Sequence, residues 1–429
     1  MKNLLHAALL FIALTLSANA AITISNSGGI NAAIPVAIVP FAVRPTQKLS
    51  QPIWEIVASD LARSGRFEPL PVSDFLSMPA SLSEVRYKDW RLLKMNAIVI
   101  GDVKQLATDS YNVTFRLLDV FGESQLDAYS YTGVKSSLLR KVAHKISDRI
   151  YEKMTGIPGA FDTKMAYVKT NGVSENKRYF LQVADADGYN EKTILKSRHP
   201  IMSPAWSPNA QRLAYVSFEK KRSMIYQQDL RTGQRSIVAE YPRINAAPAW
   251  SPDGAKLAMS LSKDGNSEIY VKNLLSGNLS RITNNRAPDT SPSWSPDGRS
   301  LVFSSGRSGR PQIYQVSSFG GEAKRLTFNG SSNQRASFSP DGKQLVLITD
   351  VDGGFKVGIY SMSTRTIRTL TNSYLDESPS FAPNGEMILY STVKGGRNVL
   401  SAVSTDASVQ QVLRFGADPV KAPAWSPQL

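Results

Sequence analysis

The chain of 429 residues has no cysteine and only three histidines. The lack of cysteine excludes disulfides, thiolate metal sites, thiol catalysis and a lipid-modified cysteine anchor, so a large apolar core must stabilise the fold. A hydrolase triad or a catalytic zinc site needs histidine, and beyond the N-terminal region only His144 and His199 remain, well separated in the sequence. There is also no Gly-x-Ser-x-Gly motif. We therefore expect a protein that is not an enzyme and that binds no cofactor.

Long apolar runs are equally scarce. The main one, residues 4–16, follows Lys2 and precedes Ala18-Asn19-Ala20. A charged start, a short apolar run and a small-residue cleavage site are typical of a secretory signal peptide, here residues 1–20. The run is too short to span a bilayer. We predict export, cleavage near Ala20 and no membrane span.

A phrase of an aromatic residue followed by Ser-Pro-Asp-Gly organises the second half of the chain. It is complete at residues 250–254, 294–298 and 338–342, and weaker copies begin at Trp206, Phe381 and Trp425. The aromatic residues are 44, 44, 44, 43 and 44 positions apart. A fixed period of this length is typical of propeller blades, which bury their apolar faces against their neighbours.

Each repeat predicts four strands, which is one blade. The three strands predicted at residues 165–169, 179–183 and 193–195 have no aromatic strand before them. The aromatic strand of Trp425, in turn, has no three strands after it. If these unmatched strands together form one blade, residues 162–429 are an all-β, six-bladed propeller of the WD40-like kind, closed by a C-terminal latch strand. A closed ring leaves no sheet edge open to aggregation.

Residues 34–156 mix strand and helix patterns, which predicts a separate N-terminal α/β domain. The strands are expected at 34–41, 95–100 and 111–117, and amphipathic helices at 50–63 and 136–154. Residues 157–161 form the linker. We expect His144 to be a surface or hydrogen-bonded side chain of the second helix.

Residues 21–33 are small, polar and Gly-rich, which predicts a flexible N-terminal tail. Ile22 and Ile24 would point to one side of an extended segment. We expect this tail to become ordered on a partner by adding a strand to it.

Positive charge is concentrated on the predicted propeller, with 33 basic and 22 acidic residues in 162–429, against 16 and 13 in 21–161. The sequence has no nucleic-acid-binding motif, and an exported protein rarely meets nucleic acid. The charge therefore favours an acidic protein partner and no nucleic acid.

Several segments together carry a family resemblance. They are 34–41, 58–65, the linker Gly-Ile-Pro-Gly-Ala-Phe at 156–161, residues 375–379 and the repeated Trp-Ser-Pro-Asp-Gly phrase. In this order they resemble the TolB family, the periplasmic component of the Tol-Pal system, over nearly all of the mature chain. One departure lies at the start, where family members often carry acidic residues and residues 21–29 have none.

The resemblance implies a monomeric, non-enzymatic adaptor in the Gram-negative periplasm. The family's propeller binds the peptidoglycan-associated lipoprotein Pal, and its N-terminal tail binds the C-terminal domain of TolA. The system supports outer-membrane invagination during cell division and the integrity of the envelope. Some bacteriocins use the same propeller surface.

Strand direction predicts which end of the propeller binds Pal. The chain enters from the linker at the end that carries the Ser-Pro-Asp-Gly turns, so the α/β domain is expected there and the opposite end stays free. The predicted Pal-binding residues at that free end are His199, Met202, Arg243, Ile244, Asn245, Ala246, Ala247, Asp289, Thr290, Ser291, Asn333, Gln334, Arg335, Leu375, Asp376 and Glu377. The predicted TolA-binding residues of the tail are Ile22, Thr23, Ile24, Ser25 and Asn26.

Two alternatives stay open at this point. One is a propeller related to peptidases of the prolyl oligopeptidase type. The other is a periplasmic propeller that binds a small ligand or a cation. The acidic turns at 185–188 and 350–353 lack the spaced ligands of a calcium loop and are typical of hairpin turns. A cation in the central channel would leave no mark in the sequence.

Overall fold

The computed structural model describes residues 23–26, 33–45, 51–351, 353–413, 416 and 418–429, with the backbone alone for 23–26 and 351. These residues form an α/β domain followed by a closed ring of six sheets, as the sequence predicts. The predicted signal peptide lies outside the described residues. Within the described part, no helix has the length and apolar character needed to cross a membrane.

The first described strand, β1 (Thr23–Asn26), belongs to the propeller, and the α/β domain follows it. The strands of this domain are β2 (Ile34–Ile38), β3 (Ala42–Arg44), β4 (Phe67–Pro69), β5 (Ala97–Ala107), β6 (Ser110–Asp119) and β7 (Ser124–Val134). Its helices are α1 (Ile53–Arg63), α2 (Tyr87–Leu92) and α3 (Leu139–Thr155). The sheet order is β4-β2-β5-β6-β7, and β3 also pairs with β5.

The two long helices cover one face of this sheet. The side chains of Val57 and Leu61 in α1 and of Ile146 and Ile150 in α3 are fully buried in one core with the strands. Gly156 ends α3 in the left-handed conformation, with φ of 75°, which only glycine adopts without a steric cost. Residues 136–138, predicted as helix, form a 3-10 turn instead. The amphipathic patterns therefore place both helices within a few residues of their observed bounds.

The propeller is numbered by blades along the chain. Blade 1 comprises β8 (Lys164–Asn171), β9 (Arg178–Asp185), β10 (Lys192–Ser197) and the last strand of the chain, β31 (Val420–Trp425). Blade 2 comprises β11 (Ile201–Trp206), β12 (Arg212–Ser217), β13 (Met224–Asp229) and β14 (Arg235–Ala239). Blade 3 comprises β15 (Asn245–Trp250), β16 (Lys256–Leu261), β17 (Glu268–Asn273) and β18 (Leu279–Arg281).

Blade 4 comprises β19 (Asp289–Trp294), β20 (Ser300–Ser305), β21 (Gln312–Ser317) and β22 (Lys324–Arg325). Blade 5 comprises β23 (Asn333–Phe338), β24 (Gln344–Val351), β25 (Gly354–Ser361) and β26 (Ile367–Thr369). Blade 6 comprises β27 (Asp376–Phe381), β28 (Met387–Lys394), β29 (Arg397–Ser404) and β30 (Val409–Leu413), with β1 as a fifth strand beside β30.

The last strand closes the ring as predicted. β31 pairs antiparallel with β8, so that Trp425 lies opposite Met165, and blade 1 is built from both ends of the domain. The indole of Trp425 donates a 2.9 Å hydrogen bond to Thr163 Oγ1. In blade 2, Trp206 Nε1 donates to the carbonyl of Ala424 in β31 at 3.0 Å. On the other side, Trp425 N donates a 3.0 Å hydrogen bond to Ser380 Oγ of blade 6, so the latch strand is held by both neighbouring blades.

The Ser-Pro-Asp-Gly turns define one end of the propeller, called the turn face below. The α/β domain lies on this face, as the point of chain entry predicts. Arg66 pairs with Glu386 at 2.6 Å, and Asn384 Nδ2 donates a 3.0 Å hydrogen bond to the carbonyl of Pro158. Both propeller residues belong to the turn of blade 6. The opposite end, called the open face, carries the loops that lead into the innermost strands.

Candidate binding face of the propeller

The innermost strands of the six blades open onto the propeller axis with one repeated arrangement. The first residue of each is buried: Ile201, Asn245, Asp289, Asn333, Asp376 and Val420. The second is partly or well exposed and forms what we name the rim: Met202, Ala246, Thr290, Gln334, Glu377 and Lys421. The third has a positive φ between 49° and 55°: Ser203, Ala247, Ser291, Arg335, Ser378 and Ala422.

The positive φ residues interrupt the strand pairing. In blade 3, for example, the register shifts between Ala246 and Ala249, and equivalent shifts occur in the other blades. A residue other than glycine costs about 1–2 kcal/mol in this conformation, and such strain concentrates at functional sites. The bulge turns the start of each innermost strand and presents the rim residue at the mouth of the channel.

Four residues of the predicted Pal-binding set are the buried first residues Asn245, Asp289, Asn333 and Asp376, each at most 1% exposed. Their side chains bond to the loops behind them. Asn245 Nδ2 donates to the carbonyls of Tyr241 at 2.7 Å and Ser223 at 3.0 Å. Asp376 Oδ2 accepts from Thr371 Oγ1 at 2.5 Å. In this structure they position the loops and offer no side-chain surface to a partner.

Asp289 shows the same arrangement with a charged pair. Its Oδ2 accepts a 2.7 Å hydrogen bond from Arg307 Nη2. Burial raises the pKa of the Asp289 carboxyl, and the Arg307 charge partly opposes that rise. Arg307 is thus an internal partner of Asp289.

The remaining predicted residues lie at or near the rim. Met202, Ile244 and Leu375 expose 41%, 51% and 37% of their surface. The Arg243 side chain reaches across to the carbonyl of Gly265 at 2.9 Å. Sequence reasoning missed Ser203, Ser378 and Ala422, although the period of 43 or 44 residues that links them to Ala247, Ser291 and Arg335 was available as a signal.

The channel on the propeller axis is a cavity of about 520 Å³ lined by the innermost strands of all six blades. Its wall is mainly Ser, Ala, Pro and aromatic side chains. Arg335 lies at its mouth, where Nη1 donates a 3.1 Å hydrogen bond to Ser378 Oγ of the next blade. The bulge residues therefore lie in the wall of this cavity, and no described residue of the α/β domain lines it.

A buried charge cluster joins the α/β domain to blade 1 on the turn face. His144 Nδ1 of α3 lies 2.7 Å from Asp60 Oδ2 of α1, and His144 Nε2 lies 3.5 Å from Asp187 Oδ2 of the propeller. Arg63 pairs with Asp60 at 3.1 Å and donates to the carbonyl of Ala186. Arg140 pairs with Asp187. Sequence reasoning treated His144 as a lone helix residue and residues 185–188 as a plain turn.

Charge balance decides what this cluster can do. Asp60, His144 and Asp187 offer ligand atoms within 4.8 Å of one another, which is close enough for a metal ion. Two guanidinium groups already pair with the carboxylates, however, and they disfavour an added cation. Burial opposes the ionised forms, but the mutual attraction of Asp60 and His144 outweighs it, lowering the pKa of Asp60 and raising that of His144. The cluster is an ion-pair network that fixes the two domains against each other.

The predicted TolA-binding residues fall in β1, except Ile22, which lies outside the described residues. Thr23–Asn26 pair antiparallel with β30, with Thr23 opposite Val412 and Asn26 opposite Val409. The sequence predicts a free tail here, and the structure has a strand added to the outer edge of blade 6. The backbone of an extended, Pro-free segment is able to complete the edge hydrogen bonds of a sheet.

An α/β domain packed on the turn face of a six-bladed propeller defines a class of two-domain proteins, and two family models match this chain. The TolB amino-terminal domain matches residues 22–126, and the TolB beta propeller domain matches residues 151–429. The chain therefore belongs to the TolB family.

Individual relatives agree with this assignment. A Tol-Pal system protein TolB from Nitrosococcus oceani is 59% identical over 95% of this chain and 94% of its own length. One from Methylobacillus flagellatus is 57% identical over 96% of this chain and 94% of its own. The crystal structure of TolB from Acinetobacter baumannii superposes with a TM-score of 0.87 at 40% identity, covering 95% of this chain and 100% of that one.

Proposed function

We propose that this chain is a non-enzymatic, monomeric adaptor of the Tol-Pal system in the periplasm, which binds Pal through the open face and TolA through the N-terminal tail. In that role it supports outer-membrane invagination at division and the integrity of the envelope. The observation that carries the proposal is the open face itself, where unlike rim side chains are partly or well exposed at the end of the propeller opposite its contacts with the α/β domain. Membership of the TolB family supports the same system.

The six rim residues are chemically unlike one another. Their side chains are sulfur-containing, aliphatic, hydroxyl, amide, acidic and basic in turn, from Met202 to Lys421. The turn face instead repeats one Ser-Pro-Asp-Gly turn, in which Ser251 Oγ accepts from Lys256 N at 2.9 Å and Asp253 Oδ1 accepts from Ala255 N at 2.9 Å. Varied loops on a rigid scaffold suit recognition, whereas repeated turns suit folding.

Basic hairpins lie outside the rim on the same face. Lys220, Lys221, Lys394 and Arg397 form no ion pair within the described part of the chain, whereas Arg222 pairs with Glu240 at 3.0 Å. Unpaired surface cations accelerate the approach of an acidic surface, while buried contacts mainly set the rate of dissociation. We therefore propose an acidic docking surface on Pal, and bacteriocins that use this face would meet the same charges.

The tail is proposed to bind TolA as a strand. Among the described residues, the ladder between β1 and β30 covers the four residues Thr23–Asn26. A ladder this short is held by few contacts and opens readily. A partner that pairs with a longer part of residues 21–33 would therefore displace β30 from the tail.

The two contacts are tested together with purified mature protein, starting at residue 21, and a form that lacks residues 21–33. We expect both forms to bind immobilised Pal equally, and only the full mature form to bind the C-terminal domain of TolA. Retained TolA binding by the shortened form would contradict the tail assignment. Loss of both partners with an unchanged melting temperature would contradict the separation of the two surfaces.

A further inference from the structure

A second cavity, of about 740 Å³, lies on the turn face between α3 and blades 1 and 2. Its walls come from the first turns of α3, from the start of β8 and from the hairpin between β13 and β14. Among the described residues, none of those predicted to bind Pal or TolA lines it. It is therefore a separate space, enclosed jointly by the two domains.

The charged side chains of this cavity are mostly basic. Five cationic side chains line it, Arg140, Lys141, Lys164, Lys192 and Arg231, against the three carboxylates Asp162, Asp185 and Asp229. The raised pKa of His144, which also lines the cavity, adds positive charge. A partly enclosed space with an excess of one sign concentrates ligands of the opposite sign.

Part of this positive charge is not used inside the protein. Lys164 pairs with Asp185 at 2.7 Å and Lys141 with Asp162 at 3.6 Å. Lys192 and the guanidinium of Arg231, by contrast, form no ion pair within the described part of the chain. The nearby Asp229 is occupied by its own turn, where Oδ1 accepts from the backbone N–H of Thr232 at 2.7 Å.

The buried wall also carries unsatisfied donors. His144 is 2% exposed, and its Nε2 forms no hydrogen bond among the described residues, since Asp187 Oδ2 is 3.5 Å away. Arg140 Nε is likewise buried without a hydrogen bond. These two donors face only distant carboxylates of the protein, Asp187 for His144 and Asp185 for Arg140, so they add positive charge to the wall rather than a direct contact for a ligand.

Apolar side chains complete the wall. Val183, Ile194, Trp206 and Leu230 line the same space. A phosphate ion would gain nothing from this apolar surface, whereas an organic acid would bury its hydrocarbon part there. Both the charge and the apolar wall therefore favour a ligand that combines a carboxylate with an apolar group.

We propose that this interdomain cavity binds a small organic carboxylate with an apolar side chain, of the kind presented by an N-acylated amino acid or the C-terminal residue of a peptide. The carboxylate would be held by the cationic groups, and the side chain would lie against the apolar wall. Because both domains line the cavity, such a ligand would also stabilise their packing.

Ligand-observed NMR titration of the mature protein tests the ligand class, with N-acetyl-L-leucine as the probe. The matched control is N-acetyl-L-leucinamide, which has the same apolar side chain without the charge. We expect the acid to bind about tenfold more tightly than the amide, because the charged group makes the stronger hydrogen bonds. Equal affinities, or displacement of the acid by equimolar inorganic phosphate, would overturn the proposal.

A pair of variants tests the location. Lys192→Gln with Arg231→Gln removes two exposed cations that have no ion pair to lose, so folding should persist, as a thermal melt will verify. Lys220→Gln with Lys221→Gln makes the same charge change on the open face. We expect the first variant to bind N-acetyl-L-leucine about tenfold more weakly and the second to match the parent protein. An unchanged affinity in the first variant, or equal weakening in both, would place the ligand elsewhere.

Discussion

His144 and Asp60 lie side by side in the interior of the molecule, with His144 Nδ1 2.7 Å from Asp60 Oδ2 and both residues at most 2% exposed. One residue belongs to α3 and the other to α1, and the propeller residue Asp187 faces the same imidazole from the other side. The pair thus links the packing of the two helices to the packing of the two domains. We therefore expect the packing of the two domains to depend on pH.

The first prediction is a loss of stability at alkaline pH. Burial alone would lower the pKa of His144, but Asp60 and Asp187 outweigh it and raise the pKa above the ordinary value of 6.5. The charged imidazole therefore stabilises the folded state fully below pH 6.5, and its contribution is lost as pH rises through the raised pKa. Urea unfolding between pH 6 and 9 should show this decline in the parent protein and not in His144→Gln. Parallel pH profiles for the two proteins would contradict it.

The second prediction concerns the contact between Gly65 and blade 6. Gly65 has φ of 71°, and a Cβ added to it would lie 1.9 Å from Val409 Cγ2. Gly277 has φ of 77° and open space around its Cβ position, so it measures the backbone strain alone. We expect Gly65→Ala to lower the free energy of unfolding by about 2–3 kcal/mol and Gly277→Ala by about 1 kcal/mol.

We assign the larger loss of stability in Gly65→Ala, compared with Gly277→Ala, to the clash with Val409. Adding Val409→Ala to Gly65→Ala should therefore recover more stability than the sum of the single changes predicts. Strict additivity in this double-mutant cycle, measured by urea unfolding, would show that the two residues do not meet.

The third prediction concerns ring closure. Deleting residues 423–429 removes the second half of β31 together with Trp425 and its hydrogen bond to Thr163. We expect the free energy of unfolding to fall by about 3 kcal/mol or more, because a partly buried aromatic side chain is lost and the ring is opened. Deleting only residues 428–429, beyond the strand, is the control and should leave the melting temperature within about 1 °C of the parent. The same melting temperature after both deletions would refute the latch.

The fourth prediction concerns exchange of the tail strand. Thr23 lies opposite Val412 in the ladder, and the chain has no native cysteine to interfere with an engineered disulfide. Thr23→Cys with Val412→Cys should, when oxidised, hold β1 on β30 and weaken TolA binding at least about tenfold, with recovery on reduction. Each single cysteine variant serves as the control. Undiminished TolA binding by the oxidised form would mean that the tail binds without leaving β30.

The propeller was predictable because its signal is a period and does not depend on any one residue. The aromatic spacing fixes the blade count, and the unmatched strand of Trp425 predicts the closure that β31 and β8 make. In the α/β domain, β7 was missed because it is an edge strand with many exposed polar residues, and its alternation is weak.

The site was less predictable, for two physical reasons. Arg140, His144 and Ser147 recur on the polar side of α3, which a single helix pattern assigns to solvent. Here His144 and Ser147 are buried against Asp60 of α1, and Arg140 and His144 face Asp187 of the propeller. Similarly, Asn245 and Asp289 stand in loops that the sequence makes look exposed, but their side chains satisfy buried loop groups. A sequence pattern shows which face of a single helix or strand is apolar. It does not show the burial of polar side chains that arises when two elements or two domains pack together.

The central claim is that Pal binds the open face, and its most direct test compares one substitution at two ends of the propeller. Ala246 is a rim residue, whereas Ala255 follows the Ser-Pro-Asp-Gly turn of the same blade on the turn face and is exposed. Ala246→Glu and Ala255→Glu make the same change in charge and in side-chain volume. We expect the first to weaken the equilibrium binding of purified Pal at least about tenfold, since it places a like charge against an acidic partner, and the second to leave it unchanged. Equal affinities for the two variants, or weakening by Ala255→Glu alone, would contradict the assignment of Pal to the open face.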